Sequence, residues 1–275
     1  MVKNEYKKSC RRFYPFSNFL YIYSLGTFCV NRYIVPFVID YWKRLPITKA
    51  VVYDNGSTDG SVEYLKQFDW IDVRHFDSEG MNDSIQKDIK NKSWKESAGK
   101  CDFVIVCDMD EVLYSNNLDI ELKYMKENEY NVLGTPWYAL CGDEKPEYKE
   151  GMLLHEIIKC VYKQSMNRNY PNLGKFMLFD PNIITDMGYS VGCHIANPKP
   201  QLKLYETDKI FAIHFDKGFG ADYFVKRRKT MNERLSDTNR RCGYCSEYGL
   251  PEETLKKTYN DNKCKSFDIM DLLEK

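Results

Sequence analysis

The sequence predicts an α/β protein with a mainly parallel sheet flanked by helices, followed by a C-terminal helical segment. Strand-like and helix-like segments alternate from residue 19 onward, which is typical of parallel βαβ units. The stretch 103–107 is continuously apolar, as expected for a central parallel strand buried on both faces. Two polar clusters, at 54–61 and 108–111, directly follow predicted strands. Because α/β sheets bind ligands beyond the carboxyl ends of their strands, both clusters are candidate site residues.

Each predicted element has its own apolar pattern. The predicted strands are short apolar runs at 19–24, 50–53, 71–76 and 103–107. The predicted helices lie at 31–45, 62–68 and 82–98, the first closed by Pro46 and the last mostly polar. We expect a basic and aromatic arm at 1–18, one α/β domain at 19–221 and a helical segment at 222–275.

Length and composition restrict the function classes. The 275 residues are 43% hydrophobic, enough for one large domain with a substantial core. The formal net charge is zero, which argues against a nucleic-acid partner. The sequence has no apolar run of membrane-spanning length and no signal-peptide pattern at its start, and its ten cysteines are scattered. We therefore expect a cytoplasmic protein with reduced thiols.

Two basic regions leave alternatives open. The arm at 1–18 combines lysines and arginines with aromatic residues, so it is either solvated or in peripheral contact with an anionic membrane surface. A second basic run begins at Arg227 and continues to Arg241. Such runs are usually solvated helix faces, although contact with a phosphate or an anionic lipid is the alternative.

Two carboxylates separated by one residue, Asp108 and Asp110, follow the predicted central strand. Hard divalent cations prefer oxygen ligands, and a nucleotide diphosphate supplies several of them. An Asp-x-Asp at a strand end can therefore hold such an ion against a diphosphate, where the ion offsets the charge that builds on a leaving phosphate. The structural alternative is an acidic turn without a ligand.

The other polar cluster reads DNGSTDGS at 54–61. Its Gly and Asn residues tolerate positive φ and favour a sharp turn, and its Ser, Thr and Asp residues can cap the helix that follows. In addition, Asp54 or Asn55 would face the ligand cleft, where a carboxylate or an amide can bond a base or a ribose.

A strand followed by DNGSTDGS, and about fifty residues later a strand ending in CDMDE, resembles the glycosyltransferases of the GT-A fold, of family-2-like type. The sequence is most similar to the branch with an Asp-x-Asp-Glu motif and a following apolar pair, here Val112 and Leu113. The resemblance covers about residues 19 to 250. It implies a Rossmann-like GT-A domain, a nucleotide-sugar donor (most often a UDP-sugar), a Mn2+ or Mg2+ ion, and a glycan, lipid-linked or other hydroxyl acceptor.

The same resemblance implies roles for individual residues. The implied donor-binding residues are Thr27, Asp54, Asn55, Asp108 and Lys175. The implied metal ligands are Asp108, Asp110 and a histidine at a strand end, His214, with His194 as its rival. For Lys175 and His214 the alternatives are a solvated lysine at a strand edge and a semi-buried structural histidine.

An inverting transferase needs a carboxylate that deprotonates the acceptor hydroxyl, whereas a retaining enzyme needs no base in that position. Asp143, Glu144 and Glu156 lie in the segment where GT-A enzymes usually carry this base. We assign Glu156, so the predicted catalytic residues are Asp108, Asp110 and Glu156.

Two other functions compete with this interpretation. The segment from Val104 to Leu113 also resembles the nucleophile motif of haloacid-dehalogenase-type phosphatases, but the later acidic motif of that family is missing. The second competitor is a non-catalytic protein that binds a sugar nucleotide or a glycan. Hydrolysis of a phosphomonoester would favour the first, and donor binding without turnover would favour the second.

Overall fold

The structure is a computed structural model that describes residues 20–26 and 32–273. Its strands are β1 Leu20–Gly26, β2 Ile47–Asp54, β3 Ile71–His75, β4 Phe103–Asp108, β5 Glu111–Tyr114, β6 Val132–Gly134, β7 Trp137–Cys141, β8 Cys160–Lys163, β9 Leu178–Phe179, β10 Leu204–Glu206, β11 Phe211–Lys217 and β12 Phe267–Asp268. Its helices are α1 Val35–Trp42, α2 Ser61–Leu65, α3 Asp83–Lys92, α4 Leu118–Glu127, α5 Leu154–Ile157, α6 Ala221–Glu233, α7 Asp237–Cys242, α8 Glu252–Lys263 and α9 Met270–Leu273.

The central sheet confirms the predicted fold class. In the described part of the chain its strand order is β10-β6-β9-β4-β1-β2-β3. The four strands β4, β1, β2 and β3 are parallel, β9 runs antiparallel to both of its neighbours, and β6 and β10 are parallel to each other. The protein is therefore a mixed α/β protein with a mostly parallel sheet.

Side chains of β1 alternate between two cores, as the period of a strand requires. Leu20 and Ile22 belong to a core that contains α1 and α4. Tyr23 belongs to the core on the other face, together with Trp94 and Phe179. The sheet is thus covered on both faces, which explains the continuous apolar run of β4.

The strand register brings the two polar clusters to one edge of the sheet. Gly26 of β1 lies opposite Asp54, and Leu25 lies opposite Asp108. Since β1 alone separates β2 from β4, the backbones of Asp54 and Asp108 lie roughly 10 Å apart. Both clusters thus lie at the carboxyl ends of strands, as the sequence predicted.

A second sheet, which the sequence did not predict, adjoins this edge. Its order in the described residues is β12-β8-β7-β11-β5. Strand β5 follows Asp110 directly and pairs antiparallel with β11, so His214 lies opposite Glu111. This pairing brings a strand more than a hundred residues away to the carboxyl end of β4.

The first and third predicted helices are shorter than their sequence patterns suggested. Helix α1 has a proline in its first turn and occupies only part of the predicted range 31–45. Helix α3 begins after Asn82, whose side chain accepts hydrogen bonds from the backbone amides of Ser84 and Ile85. It ends at Lys92, and a 3-10 turn then carries Trp94 into the core. A longer helix α3 would compete with the burial of Trp94.

Helices α6 to α9 lie within or next to the segment 222–275 that was predicted to be helical. The arm at 1–18 and Thr27 lie outside the described residues, so the predictions for them stay predictions. In residues 20–26 and 32–273, none of the helices has the length and apolar character needed to span a bilayer.

The C-terminal segment is tied to the loop after β3. The amide of Met81 donates to the carbonyl of Arg234, and the amide of Ser236 donates back to Met81. Asn239, which is fully buried, accepts from the amide of Asp83 at 3.0 Å and donates to its carboxylate at 2.7 Å. These contacts hold α7 against the start of α3.

We expect Asn239→Ala to lower the free energy of unfolding by about 1–3 kcal/mol, because it removes the amide donor of the buried Asp83 carboxylate and leaves it only the weaker thiol donor of Cys245. Urea unfolding followed by circular dichroism measures this change. Thr238→Ala, on the same helix and only half-buried, is the matched control. Equal stabilities of the two variants would contradict the proposed stabilising contact between α7 and the start of α3.

Candidate functional site

A cavity of about 690 Å³ lies at the carboxyl end of β4. It is bordered by α3, the turn between β4 and β5, the segment 164–175, the end of β11 and the start of the C-terminal helices. Five of the residues singled out in the sequence line it: Asp108, Asp110, Lys175, His194 and His214. The sequence therefore located this cavity, although it identified only part of its wall.

Asp108 is held between two buried lysines. Lys90, from α3, lies 2.7 Å from Oδ1 of Asp108, and Lys175 lies 3.5 Å from Oδ2. Lys175 also contacts Glu111 at 2.6 Å, and the other carboxylate oxygen of Glu111 accepts from the amide of Asp108 at 3.0 Å. The acidic motif is thus a compact turn whose side chains are paired with cations from two distant segments.

Asp110 faces the opposite wall of the cavity. Its Oδ2 accepts from Arg227 Nη2 at 2.6 Å and lies 3.4 Å from Nε2 of His214. Its backbone carbonyl accepts from the amide of Phe215, which fixes the turn against β11. Helix α6 and strand β11 together determine where this carboxylate points.

Asp216 anchors the arginine that contacts Asp110. Its Oδ1 accepts from Arg227 Nη1 at 3.1 Å, and its Oδ2 accepts from Arg228 and, at 3.2 Å, from Lys217. Lys217 also donates to the hydroxyl of Tyr162 at 2.9 Å. Because three cations hold Asp216, it is a fixed point between β11 and α6.

The charges of this cluster keep its carboxylates ionised. Burial alone raises the pKa of Asp108, but Lys90 and Lys175 outweigh burial and hold the pKa below its ordinary value. Burial likewise raises the pKa of Asp110, and Arg227 followed by His214 brings that pKa well below the ordinary range. Both acidic residues therefore carry a negative charge at neutral pH.

Of the two alternatives left open for the basic run, a solvated helix face does not describe Arg227 and Arg228. Both side chains are turned inward and paired, because buried Asp216 and Asp110 need cations. Lys229, the next residue, does face outward and pairs with Glu252. A periodicity of charges cannot show which members of a basic run meet an acidic partner from another strand.

Two further cations of the cavity wall carried no signal in the sequence. Lys90 belongs to a helix predicted to be polar, without a role. Arg168 is exposed at the wall, and its side chain makes no ion pair or hydrogen bond with any described residue. Its guanidinium is therefore available to an anionic ligand.

The DNGSTDGS loop lies at the predicted sheet edge but does not line this cavity. Asp54 accepts from the amides of Gly56 and Ser57 at 3.0 and 3.1 Å, which makes it a cap of its own turn. Asn55 donates to Ser78 and to the carbonyl of Gly80. Their role in binding a nucleotide base or ribose stays a prediction.

Glu156 also lies apart from the cavity-lining residues. It is exposed on the short helix α5 and accepts from the amide of Leu153 at 3.2 Å. Its neighbour His155 is buried and packs edge-on against Tyr114, with ring centres 4.4 Å apart. The structure does not bring Glu156 together with Asp108 and Asp110, and its assignment as the base stays a prediction.

The oxygen and nitrogen atoms near Asp110 suit a divalent cation whose remaining coordination positions are filled by a bound ligand. No three or more His, Cys, Asp or Glu side chains in residues 20–26 and 32–273 are grouped to hold a metal ion. Asp110 and His214 nevertheless face each other, and Nδ1 of His214 is buried without a partner among the described residues. Mg2+ is commonly held by one or two carboxylates plus substrate phosphates, so these residues fit an ion that binds with a diphosphate.

Comparisons with known proteins give only distant matches. No family model matches the chain, and no curated protein matches its sequence. Among solved structures, S. aureus TarS is similar with 13% identity and a TM-score of 0.42, over 87% of this chain and 41% of the TarS chain. TarS 1-349 in complex with UDP-GlcNAc gives 13% identity and a TM-score of 0.38, over 87% of this chain and 69% of that one. This chain thus spans less than half of full TarS, and similarity at this level assigns no role to any residue.

We expect His155 to make the protein sensitive to acid. Burial lowers the pKa of His155 from 6.5 to about 4, an effect that Glu156 partly opposes. The unfolded chain binds a proton at this residue below pH 6.5, whereas the folded chain does not until about pH 4. This stabilisation is therefore complete above pH 6.5 and is lost as the pH falls toward 4.

Urea unfolding at pH 7 and pH 4.5 tests this expectation. Between these two pH values the wild type should lose about 2.5 kcal/mol more stability than His155→Phe, which cannot titrate. Phenylalanine keeps an aromatic ring against Tyr114. The stability of His155→Phe at pH 7 therefore shows whether the replacement itself disturbs packing. An identical loss in both proteins would show that His155 is protonated in the folded state.

Proposed function

We propose that this protein is a GT-A-type glycosyltransferase that transfers a hexosyl group from a nucleotide-diphosphate sugar, specifically a UDP-sugar, to a hydroxyl acceptor. The observation that carries the proposal is the placement of Asp108 and Asp110. They lie at a strand end, in a cavity whose wall supplies buried cations from three separate segments. This combination suits a ligand that carries negative charge and arrives with a divalent ion.

The charge of the cavity supports a diphosphate ligand. The lining of the cavity carries six acidic residues, Asp83, Asp108, Asp110, Glu111, Asp216 and Glu247, and seven basic residues, Lys87, Lys90, Arg168, Lys175, Lys217, Arg227 and Arg228. The lining thus has an excess of one positive charge when its histidines are neutral, and Arg168 is an exposed member of the basic set. Charge-assisted hydrogen bonds from such groups are the usual means of holding phosphate oxygens.

These residues can lower the barrier to sugar transfer in one way that the geometry supports directly. When the bond between the sugar and the diphosphate breaks, negative charge develops on the leaving phosphate. Lys175 and Arg227, held at the cavity by Glu111 and Asp216, can stabilise that charge without rearranging solvent. A Mn2+ or Mg2+ ion held by Asp110 and His214, and by Asp108, would act as a Lewis acid on the same phosphates.

A second cavity supports a sugar as acceptor. It has a volume of about 480 Å³ and is walled by aromatic side chains that include Tyr33, Tyr64 and Tyr148. Burial raises the pKa of Tyr223 to about 12, Arg227 opposes this rise, and the charges of Asp110 and Tyr33 add to it. Tyr223 thus interacts electrostatically with Asp110, which lines the first cavity, and with Tyr33, which lines the second. We propose a glycan or a lipid-linked sugar as acceptor, and peripheral contact with a membrane through the basic arm would suit the latter.

The metal-binding part of the proposal predicts the behaviour of Asp110→Asn. This variant should lose Mn2+-dependent binding of UDP and lower the rate of UDP-sugar turnover by at least about a hundredfold, because an amide neither neutralises the ion nor holds Arg227 by charge. Isothermal titration with UDP, with and without Mn2+, and release of UDP from a panel of UDP-sugars measure both effects. Asp102→Asn is the matched control, since Asp102 precedes the opposite end of β4 and pairs with Lys126 at the surface.

The outcomes separate the proposed function from its competitors. Full activity of Asp110→Asn, or undiminished activity in excess chelator, would refute the metal role. Tight UDP-sugar binding without transfer or hydrolysis would identify a non-catalytic binding protein. Hydrolysis of p-nitrophenyl phosphate without any affinity for UDP would instead favour the phosphatase.

A further inference from the structure

Arg227 connects the acidic motif to the C-terminal helices. One terminal nitrogen of its guanidinium lies 2.6 Å from Oδ2 of Asp110, and the other lies 3.1 Å from Oδ1 of Asp216. Burial by itself lowers the pKa of Arg227, but the two carboxylates outweigh it and raise that pKa above its ordinary value. The guanidinium is thus a fixed positive charge that neutralises Asp110.

This arrangement places two cations in competition for one oxygen. Oδ2 of Asp110 is the atom that contacts Arg227, and it is also the atom nearest to Nε2 of His214. A divalent ion bound by Asp110 and His214 would therefore take the position next to the oxygen that Arg227 occupies. Two unlike cations that share one carboxylate oxygen in a buried site repel each other strongly.

We propose that Arg227 is a positioning residue that occupies Asp110 in the free protein and transfers to the nucleotide diphosphate when a divalent ion binds. The protein then has low affinity for the ion alone, and the ion and the nucleotide each strengthen the binding of the other. This inference rests on the proposed function, because it takes the ligand to be a nucleotide diphosphate. The acidic motif alone implies neither a role for Arg227 nor this exchange of Arg227 between Asp110 and the diphosphate.

Asp216 makes this exchange feasible. It holds the second nitrogen of Arg227, and it is itself held by Arg228 and Lys217. The guanidinium can therefore release Asp110 and remain in the cavity, where a phosphate oxygen replaces the lost carboxylate. Without that anchor, the long side chain would lose its orientation on releasing Asp110.

Binding of Mn2+ tests the proposal without any assay of turnover. Free Mn2+ is measured by electron paramagnetic resonance in titrations of the full chain, with and without UDP. The wild type should bind Mn2+ about tenfold or more weakly without UDP than with it. Arg227→Gln should bind Mn2+ alone about tenfold or more tightly than the wild type, and UDP should add little to that affinity.

Arg228→Gln is the matched control. It removes the same charge from the same helix and the same cavity wall, but Arg228 contacts Asp216 and leaves Asp110 untouched. Its affinity for Mn2+ alone should stay close to that of the wild type. If Arg228→Gln and Arg227→Gln strengthen Mn2+ binding equally, the effect is one of overall charge and the proposal is wrong.

Arg227→Lys covers the case in which Arg227→Gln fails to fold, which a thermal melt reveals. A lysine keeps the charge but has one donor group that cannot span Asp110 and Asp216 as a planar fork does. It should therefore also bind Mn2+ alone more tightly than the wild type. Equal Mn2+ affinities of the wild type and the folded Arg227 variants would overturn the proposal, as would a lack of Mn2+ binding in all of them.

The same titrations distinguish this proposal from the proposed function. If UDP does not bind to any variant, with or without Mn2+, the nucleotide-sugar assignment fails. Tighter binding of Mn2+ alone by Arg227→Gln would still establish the competition at Asp110. If UDP binds normally and removal of Arg227 leaves Mn2+ binding unchanged, only the role of Arg227 is refuted.

Discussion

Buried carboxylates at the carboxyl end of β4 must be neutralised, and the arrangement of the site follows from that requirement. An ionised group left unpaired in the interior costs several kcal/mol, so each of these carboxylates needs a cation nearby. Those cations come from α3, from the segment before β9 and from α6. Charge pairing thus determines which distant segments meet at the cavity, and apolar packing then holds them there.

Much of the central sheet was predictable from the sequence because its signals are local. The apolar run of β4 and the polar clusters after β2 and β4 depend only on strand period and on turn chemistry. The second sheet was not predictable in this way. Its strands β5 and β8 are only four residues long, and they pair with β11 and β12, about a hundred residues farther along the chain.

The site shows the same division between local and distant signals. Asp108, Asp110 and Lys175 were found because they follow or precede strands in a recognisable pattern. Lys90 was missed, and Arg227 was singled out only as part of a basic run, because a lysine or arginine in a polar helix looks the same whether it faces water or a buried carboxylate. Asp54 differs, because its side chain bonds the amides of its own turn, and the residue that precedes helix α2 is Gly60, which has no side chain to cap it.

The bridge between Met81 and Leu235 has a consequence for how the protein is made on the ribosome. Strands β1 to β4 can pair as soon as the first half of the chain has emerged, since domains generally fold from the amino end during synthesis. Asp110 and Asp216 cannot pair with Arg227 until Arg227 has been synthesised, and residues 234–236 form their contacts later still. A nascent chain therefore exposes an open acidic edge for several seconds, at about 5–20 residues per second, before its own last quarter covers it.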